Sequence, residues 1–155
     1  MGLPKKKRPL WRALLSWVIY LAIIGTIVVG MPRFLAWYLQ TDSPMAAITS
    51  GSMWPVLKQG DLVFIKGVHS KEDIQMGDIV VYQNAKSNTL VIHRVINLNE
   101  DTLVTKGDAN FTTDDPAAYA DVIGKTFNVW GKPLRIPWLG NITIYASSFQ
   151  KAPTT

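Results

Sequence analysis

Between Ala13 and Pro32 the chain reads ALLSWVIYLAIIGTIVVGMP and carries no charged side chain. Twenty helical residues rise about 1.5 Å each and span roughly 30 Å, the thickness of a bilayer hydrocarbon core. No polar stripe recurs at helical period, so a helix lying flat on a membrane surface does not fit. The pattern predicts one membrane-spanning helix. Trp11 and Trp17 near one end, and Trp37 and Tyr38 beyond the other, suit the two membrane interfaces.

Past residue 40 the pattern changes to short β-rich runs between Gly and Asp turns. Asp61–Lys66 (DLVFIK), Asp78–Gln83 (DIVVYQ), Leu90–Asn97 (LVIHRVIN), Leu103–Lys106, Asp121–Trp130 and Leu134–Tyr145 are predicted strands, the last broken at Pro137 and Gly140. Only Ser70–Ile74 suggests a helical turn. The expected fold is mainly β: one β-rich domain behind one N-terminal transmembrane helix. The implied divisions are a basic N-terminus (1–12), an anchor with its interfaces (13–38), a β-rich domain (39–150) and a tail (151–155). Residues 141–155 are too short and too polar for a second span.

Charge changes the picture at one end only. The formal net charge is +5. Lys5, Lys6, Lys7, Arg8 and Arg12 account for all of it, because the other 11 basic residues balance the 11 acidic ones. A basic chain of this kind raises nucleic acid as a partner. A basic cluster abutting a membrane span instead marks the cytoplasmic side, which would put the β-rich domain outside the cytoplasm. The apolar run is longer than a cleavable signal peptide's, and Arg33, Phe34, Leu35 and Trp37 make a poor cleavage region. With no cysteine, a disulfide framework, a thiolate metal site and a Cys nucleophile are excluded. Two histidines, His69 and His93, make a His-rich metal site a poor fit, and no metal or cofactor is expected.

Three features could carry chemistry. Ser50-Gly51-Ser52-Met53-Trp54-Pro55 follows the apolar stretch Met45–Ile48. A nucleophilic serine needs a tight turn, a base within reach and donors for the oxyanion. Taken alone, Ser-Gly-Ser reads first as a plain polar loop. Strand alternation puts Val91, His93 and Val95 on one face and Ile92, Arg94 and Ile96 on the other. A histidine so placed is either a satisfied core residue or a partly desolvated general base. His69, in GVHSKED, has no such neighbours and reads as an exposed loop residue. Lys106-Gly107-Asp108-Ala109-Asn110 with Asp114-Asp115 is either a turn or a source of a carboxylate that orients the histidine. A paired-carboxylate hydrolase would leave the serine motif without a role.

Taken in order, the N-terminal span, SGSMWP, GDLVFIK, GDIVVYQ, VIHRV, TKGDAN and Asp-Asp resemble type I signal peptidases. They match specifically the Ser–His branch found in the endoplasmic reticulum, archaea and some bacteria, over about residues 10–140. The resemblance implies a β-rich catalytic domain on the outer or lumenal membrane face. That domain would cut signal peptides from exported proteins after small residues at positions −3 and −1. Carried over, Ser52 is the nucleophile and His93 replaces the lysine base of the common bacterial branch. The Ser50 hydroxyl and the Ser52 N–H hold the oxyanion. Lys66 and Lys106 do not stand at the bacterial base position. Asp108 matches the family's Gly-Asp aspartate, expected to orient the histidine or stabilise the site loop. The second functional aspartate falls on Asp114, or on Asp115 if the alignment shifts by one. Trp54 stands where an acidic residue is common. Met45, Ala46, Ala47, Ile48 and Thr49 would pair with substrate as an added strand. The implied partners are signal peptides and the lipid bilayer, with accessory subunits open and no nucleic acid. Two alternatives stand beside this: a peptidase dedicated to a few substrates, and a non-enzymatic anchored β domain that binds an exported protein.

Overall fold

The computed structural model describes residues 10–142, 144 and 145. The Lys5–Arg8 cluster and the tail 151–155 lie outside them. The chain divides into two units, one ending at Leu35 and one starting at Ala36.

The first unit is helical. Helix α1 covers Leu10–Gly25, a π-helical turn covers Thr26–Gly30, and α2 covers Met31–Leu39. Together they make one helix, Leu10–Leu39, long and apolar enough to cross a membrane. Its large apolar side chains from Leu10 to Val29, where described, are exposed, as a lipid-facing surface would require. Its two hydroxyls, Ser16 and Thr26, each donate to the carbonyl four residues back, at 2.9 Å. That satisfies polar groups which hydrocarbon would leave unpaired. The π turn precedes Pro32, which has no N–H to continue the α-helical ladder.

The second unit is built on an eight-stranded antiparallel sheet. Seven of its strands are β1 (Met45–Ala47), β2 (Leu62–Gly67), β3 (Ile79–Asn84), β4 (Thr89–Leu98), β5 (Thr102–Lys106), β6 (Ala117–Ala118) and β7 (Val122–Thr126). They run in the order β1-β2-β7-β3-β4-β5-β6. The hairpin β8 (Asn128–Val129)–β9 (Lys132–Pro133) stands apart, and β10 (Arg135–Ile136) pairs with β2. The hairpin turns at Trp130 and Gly131, with φ of 51° and 76°. Positive φ at both positions gives the backbone twist that two-residue hairpins favour. The sequence-predicted helical turn is a 3-10 turn at Lys71–Asp73.

Two apolar clusters explain the runs. Strand β3 is buried along Ile79–Tyr82 because both of its faces are covered. Ile79 and Val81 join Ile48, Met53, Leu57, Val63 and Ile65 in one cluster. Val80 and Tyr82 join Ile74, Val95, Leu103, Ala117 and Val122 in the other. Continuous hydrophobicity is the signature of a strand covered on both sides. Each fully buried side chain of this size contributes about 1.5–3 kcal/mol.

Two predicted runs differ in the structure. Asp121–Trp130 is not one strand. It splits into β7 and β8 at Phe127, whose N–H still donates to Phe64 O of β2 while its carbonyl accepts from Leu134 N–H, both at 2.8 Å. Leu134–Tyr145 is strand only at Arg135–Ile136. Pro137 then removes a ladder donor, Trp138 takes φ 69°, and the chain turns helical from residue 140.

Candidate active site

The loop between β1 and β2 carries Ser52. Met53 and Leu57 plug it into the first apolar cluster, being 1% and 0% exposed. Leu57 N–H donates to Met53 O at 2.9 Å and Trp54 N–H to Gly51 O at 3.1 Å, so the segment coils tightly. The Trp54–Pro55 peptide bond is cis. Buried Met53 anchors the turn from below, while Ser52 stays half-exposed. The loop closes on itself at its far end, where Gly60 N–H donates to Ile48 O and Ile48 N–H to Asp61 O. Asp61 is buried and accepts from Lys58 N–H and from Arg135.

Strand β4 carries His93. Its register places it opposite Val80 of β3, and alternation aligns it with Val91 and Val95. His93 Nε2 lies 3.0 Å from Ser52 Oγ, and Nδ1 lies 2.6 Å from Asp114 Oδ2. Asp114 is held by its own backbone, its N–H donating to Thr105 O at 2.8 Å. With Nδ1–H donating to the carboxylate, Nε2 is the acceptor and faces the serine hydroxyl. The Ser50 hydroxyl lies 3.1 Å from Ser52 Oγ on the exposed side.

The two other candidate aspartates lie elsewhere. Asp108 is not on the histidine: both of its oxygens receive Arg94, at 2.8 and 2.7 Å. Arg94 follows His93 on the strand and so points to the opposite face of β4, where it also donates to Gly77 O. This bidentate pair pins the turn after β5. There Ala109 N–H donates to Ser52 O at 2.8 Å. Gly107 allows that approach, since a Cβ at this position would sit 2.7 Å from Ser52 O. Asp108 therefore acts on the serine loop and not on the ring. Asp115 pairs with Lys86 at 2.6 Å on the exposed surface. That hydrogen bond and charge hold its carboxyl below the ordinary carboxylate range.

Lys66 is exposed opposite Lys125, and Lys106 lies opposite Arg94 on the face of β4 away from His93. His69 is exposed. Among the described residues no group of acids and histidines could hold a metal ion.

A cleft of about 520 Å³ opens beside Ser52. Met45, Ala46, Ala47, Ile48 and Thr49 line one side, with Ser50 and His93 at the reactive end. Leu90, Val91, Ile92 and Ile123 line it as well, and sequence reasoning assigned them no site role. For Leu90, Val91 and Ile92 the place beside His93 on β4 was the available signal; Ile123, on β7, offered none. Among the described residues strand β1 pairs on one edge only, with β2. Sequence reasoning also missed Thr105, whose hydroxyl donates to Asp114 Oδ2 at 2.6 Å. A polar residue at an inward position of LVTK was the clue.

A family model described as signal peptidase, peptidase S26, matches residues 14–126. The chain is 32% identical over 141 residues to the signal peptidase complex catalytic subunit SEC11 of Scheffersomyces stipitis, covering 86% of this chain and 83% of that protein. It is 29% identical over 140 residues to the protein of the same name from Colletotrichum graminicola, covering 86% of this chain and 81% of the other.

Proposed function

The chain belongs to the signal peptidase S26 family and is a serine peptidase that removes signal peptides; on that premise we propose a Ser52–His93–Asp114 mechanism. In support are the 3.0 Å separation of Ser52 Oγ from His93 Nε2 and the 2.6 Å separation of His93 Nδ1 from Asp114 Oδ2. Ser52 Oγ attacks the scissile carbonyl carbon while its proton passes to His93 Nε2. The carbonyl oxygen becomes an oxyanion, held by the Ser52 N–H and the Ser50 hydroxyl. Collapse breaks the C–N bond, and the amine leaves with the proton from His93. Water, deprotonated by the same ring, then attacks the serine ester and frees the signal peptide's carboxylate. Asp114 fixes the ring tautomer and stabilises the imidazolium.

Substrate enters as an extended strand beside Met45–Thr49. Alternate side chains of such a strand point the same way, so the small apolar lining suits small residues at −3 and −1. The helix Leu10–Leu39 is the membrane anchor. The basic residues of segment 1–12 hold its start in the cytoplasm, segment 13–38 spans, and 39–150 is the extracytoplasmic catalytic domain. The names of the SEC11 relatives make accessory subunits plausible here as well.

The test incubates membrane-embedded protein with a preprotein whose signal ends in Ala-X-Ala. Ser52→Ala is expected to abolish cleavage while insertion and thermal midpoint stay unchanged. Full activity in that variant refutes the reading.

A further inference from the structure

Behind the histidine–aspartate pair lie two polar groups that catalysis as described does not use. Thr105 is fully buried and Tyr82 is 2% exposed, on the apolar face shared with Val80, Val95 and Leu103. The Thr105 hydroxyl lies 2.6 Å from Asp114 Oδ2 and 3.1 Å from the Tyr82 hydroxyl. A hydroxyl has one proton, and an ionised carboxylate only accepts. The Thr105 proton therefore goes to Asp114, and the Tyr82 hydroxyl is the second polar group against Thr105 Oγ1. Burial raises the Tyr82 phenol above its ordinary value and keeps its proton in place. Thr105 thus donates to the same Asp114 oxygen that holds His93.

Apolar residues at both positions would fill this face without any need for partners. Val91 lies opposite Tyr82 and Val95 opposite Thr105, so the pair is a polar insertion aimed at Asp114. We infer that Thr105 is a positioning residue that sets the direction and the acceptor strength of Asp114 toward His93. Each donor on Oδ2 disperses part of the carboxylate charge and polarises the next bond in the chain. With Thr105 present, Asp114 is aimed at Nδ1 but moderated as a counter-ion. Without it, the charge concentrates and favours the imidazolium, the form that cannot accept the serine proton. The other charges nearby are already paired. Asp115 is on Lys86, and Arg94 is on Asp108 on the opposite strand face.

This inference rests on the Ser52–His93 reading, and its test separates the two. The full chain in detergent is assayed against a peptide ending its signal part in Ala-X-Ala, with kcat, KM and the pH profile of kcat/KM measured. Thr105→Val keeps the shape and removes the hydroxyl. It is expected to lower kcat about 10-fold with KM within about 2-fold, the scale typical of a supporting hydrogen bond behind a functional group. It is also expected to move the acid limb of the profile to higher pH by roughly half a unit. Thr105→Ser is expected to restore both. A loss that comes only from looser packing lowers the whole profile without moving the limb. An unmoved limb in Thr105→Val therefore overturns the inference. If that variant fails to fold, an unmoved limb in Thr105→Ala does so. Ser52→Ala, run alongside, reports on the parent reading: inactivity there with an unmoved limb in the others sinks only this inference.

Discussion

The two sides of the central strand β3 hold the two halves of the site by different means. On one side the serine loop is anchored chiefly by packing, Met53 and Leu57 sitting among Ile48, Val63, Ile65, Ile79 and Val81, with the Ala109 N–H bond to Ser52 O added to it. On the other side His93 and Asp114 are fixed by hydrogen bonds, with Thr105 and Tyr82 set into an otherwise apolar surface. Packing is non-directional and sets where a backbone turn sits. Hydrogen bonds are directional and set where a ring nitrogen points. A nucleophile on a rigid turn needs the first, and a base that must present one nitrogen needs the second.

That contrast can be broken at either side. The largest effect on activity is expected on the hydrogen-bonded side. Asp114→Asn keeps the shape but allows the wrong ring tautomer, and kcat should fall about 10³–10⁴-fold with the thermal midpoint little changed. A fall of less than 10-fold would remove Asp114 from its assigned role. On the packed side the effect should be on stability. Met53→Ala leaves a cavity under the serine and is expected to cost about 2–5 kcal/mol, read by denaturant or thermal unfolding. Gly107→Ala sharpens the contrast, since its Cβ strikes the Ser52 carbonyl. It should lower kcat by displacing the serine loop while His93 keeps its bond to Asp114.

A smaller effect is expected in alkali. Burial raises the Tyr82 phenol above its ordinary value in the folded state. A raised folded value means that stability is intact below the unfolded value and is lost as pH rises past it. Stability should therefore decline above about pH 10, and Tyr82→Phe should decline less over the same range, measured by pH-dependent denaturation. The smallest effect belongs to the exposed Lys86–Asp115 pair. Lys86→Ala should leave both activity and thermal midpoint unchanged within error.

The sequence shows the long apolar helix, most of the strands and the presence of the Ser52 and His93 motifs, because each is a local pattern. An uncharged run, an alternation or a turn dipeptide needs no knowledge of what lies across the sheet. Choosing among Asp108, Asp114 and Asp115 was not local. The choice depends on Arg94 taking Asp108 on one face of β4, on Lys86 taking Asp115 outside, and on Thr105 O holding the Asp114 backbone. Thr105 itself looked like an ordinary strand residue until β4 and β5 were in register. The run after Leu134 failed for a related reason. Apolar letters around Pro137 and Gly140 mimic a strand, but Gly140 packs on the Asp61 backbone, where a Cβ would lie 2.5 Å from its carbonyl oxygen.

The most direct measurement locates the covalent intermediate. A peptide active ester ending in Ala-X-Ala is offered to the full chain, the reaction is quenched in acid, and the acylated residue is mapped by mass spectrometry. The expected result is a single acyl group on Ser52 that is lost in Ser52→Ala and forms far more slowly in His93→Ala. An acyl group on another residue, or one that forms at full rate without the His93 imidazole, would contradict the assignment of Ser52 as nucleophile and His93 as its base.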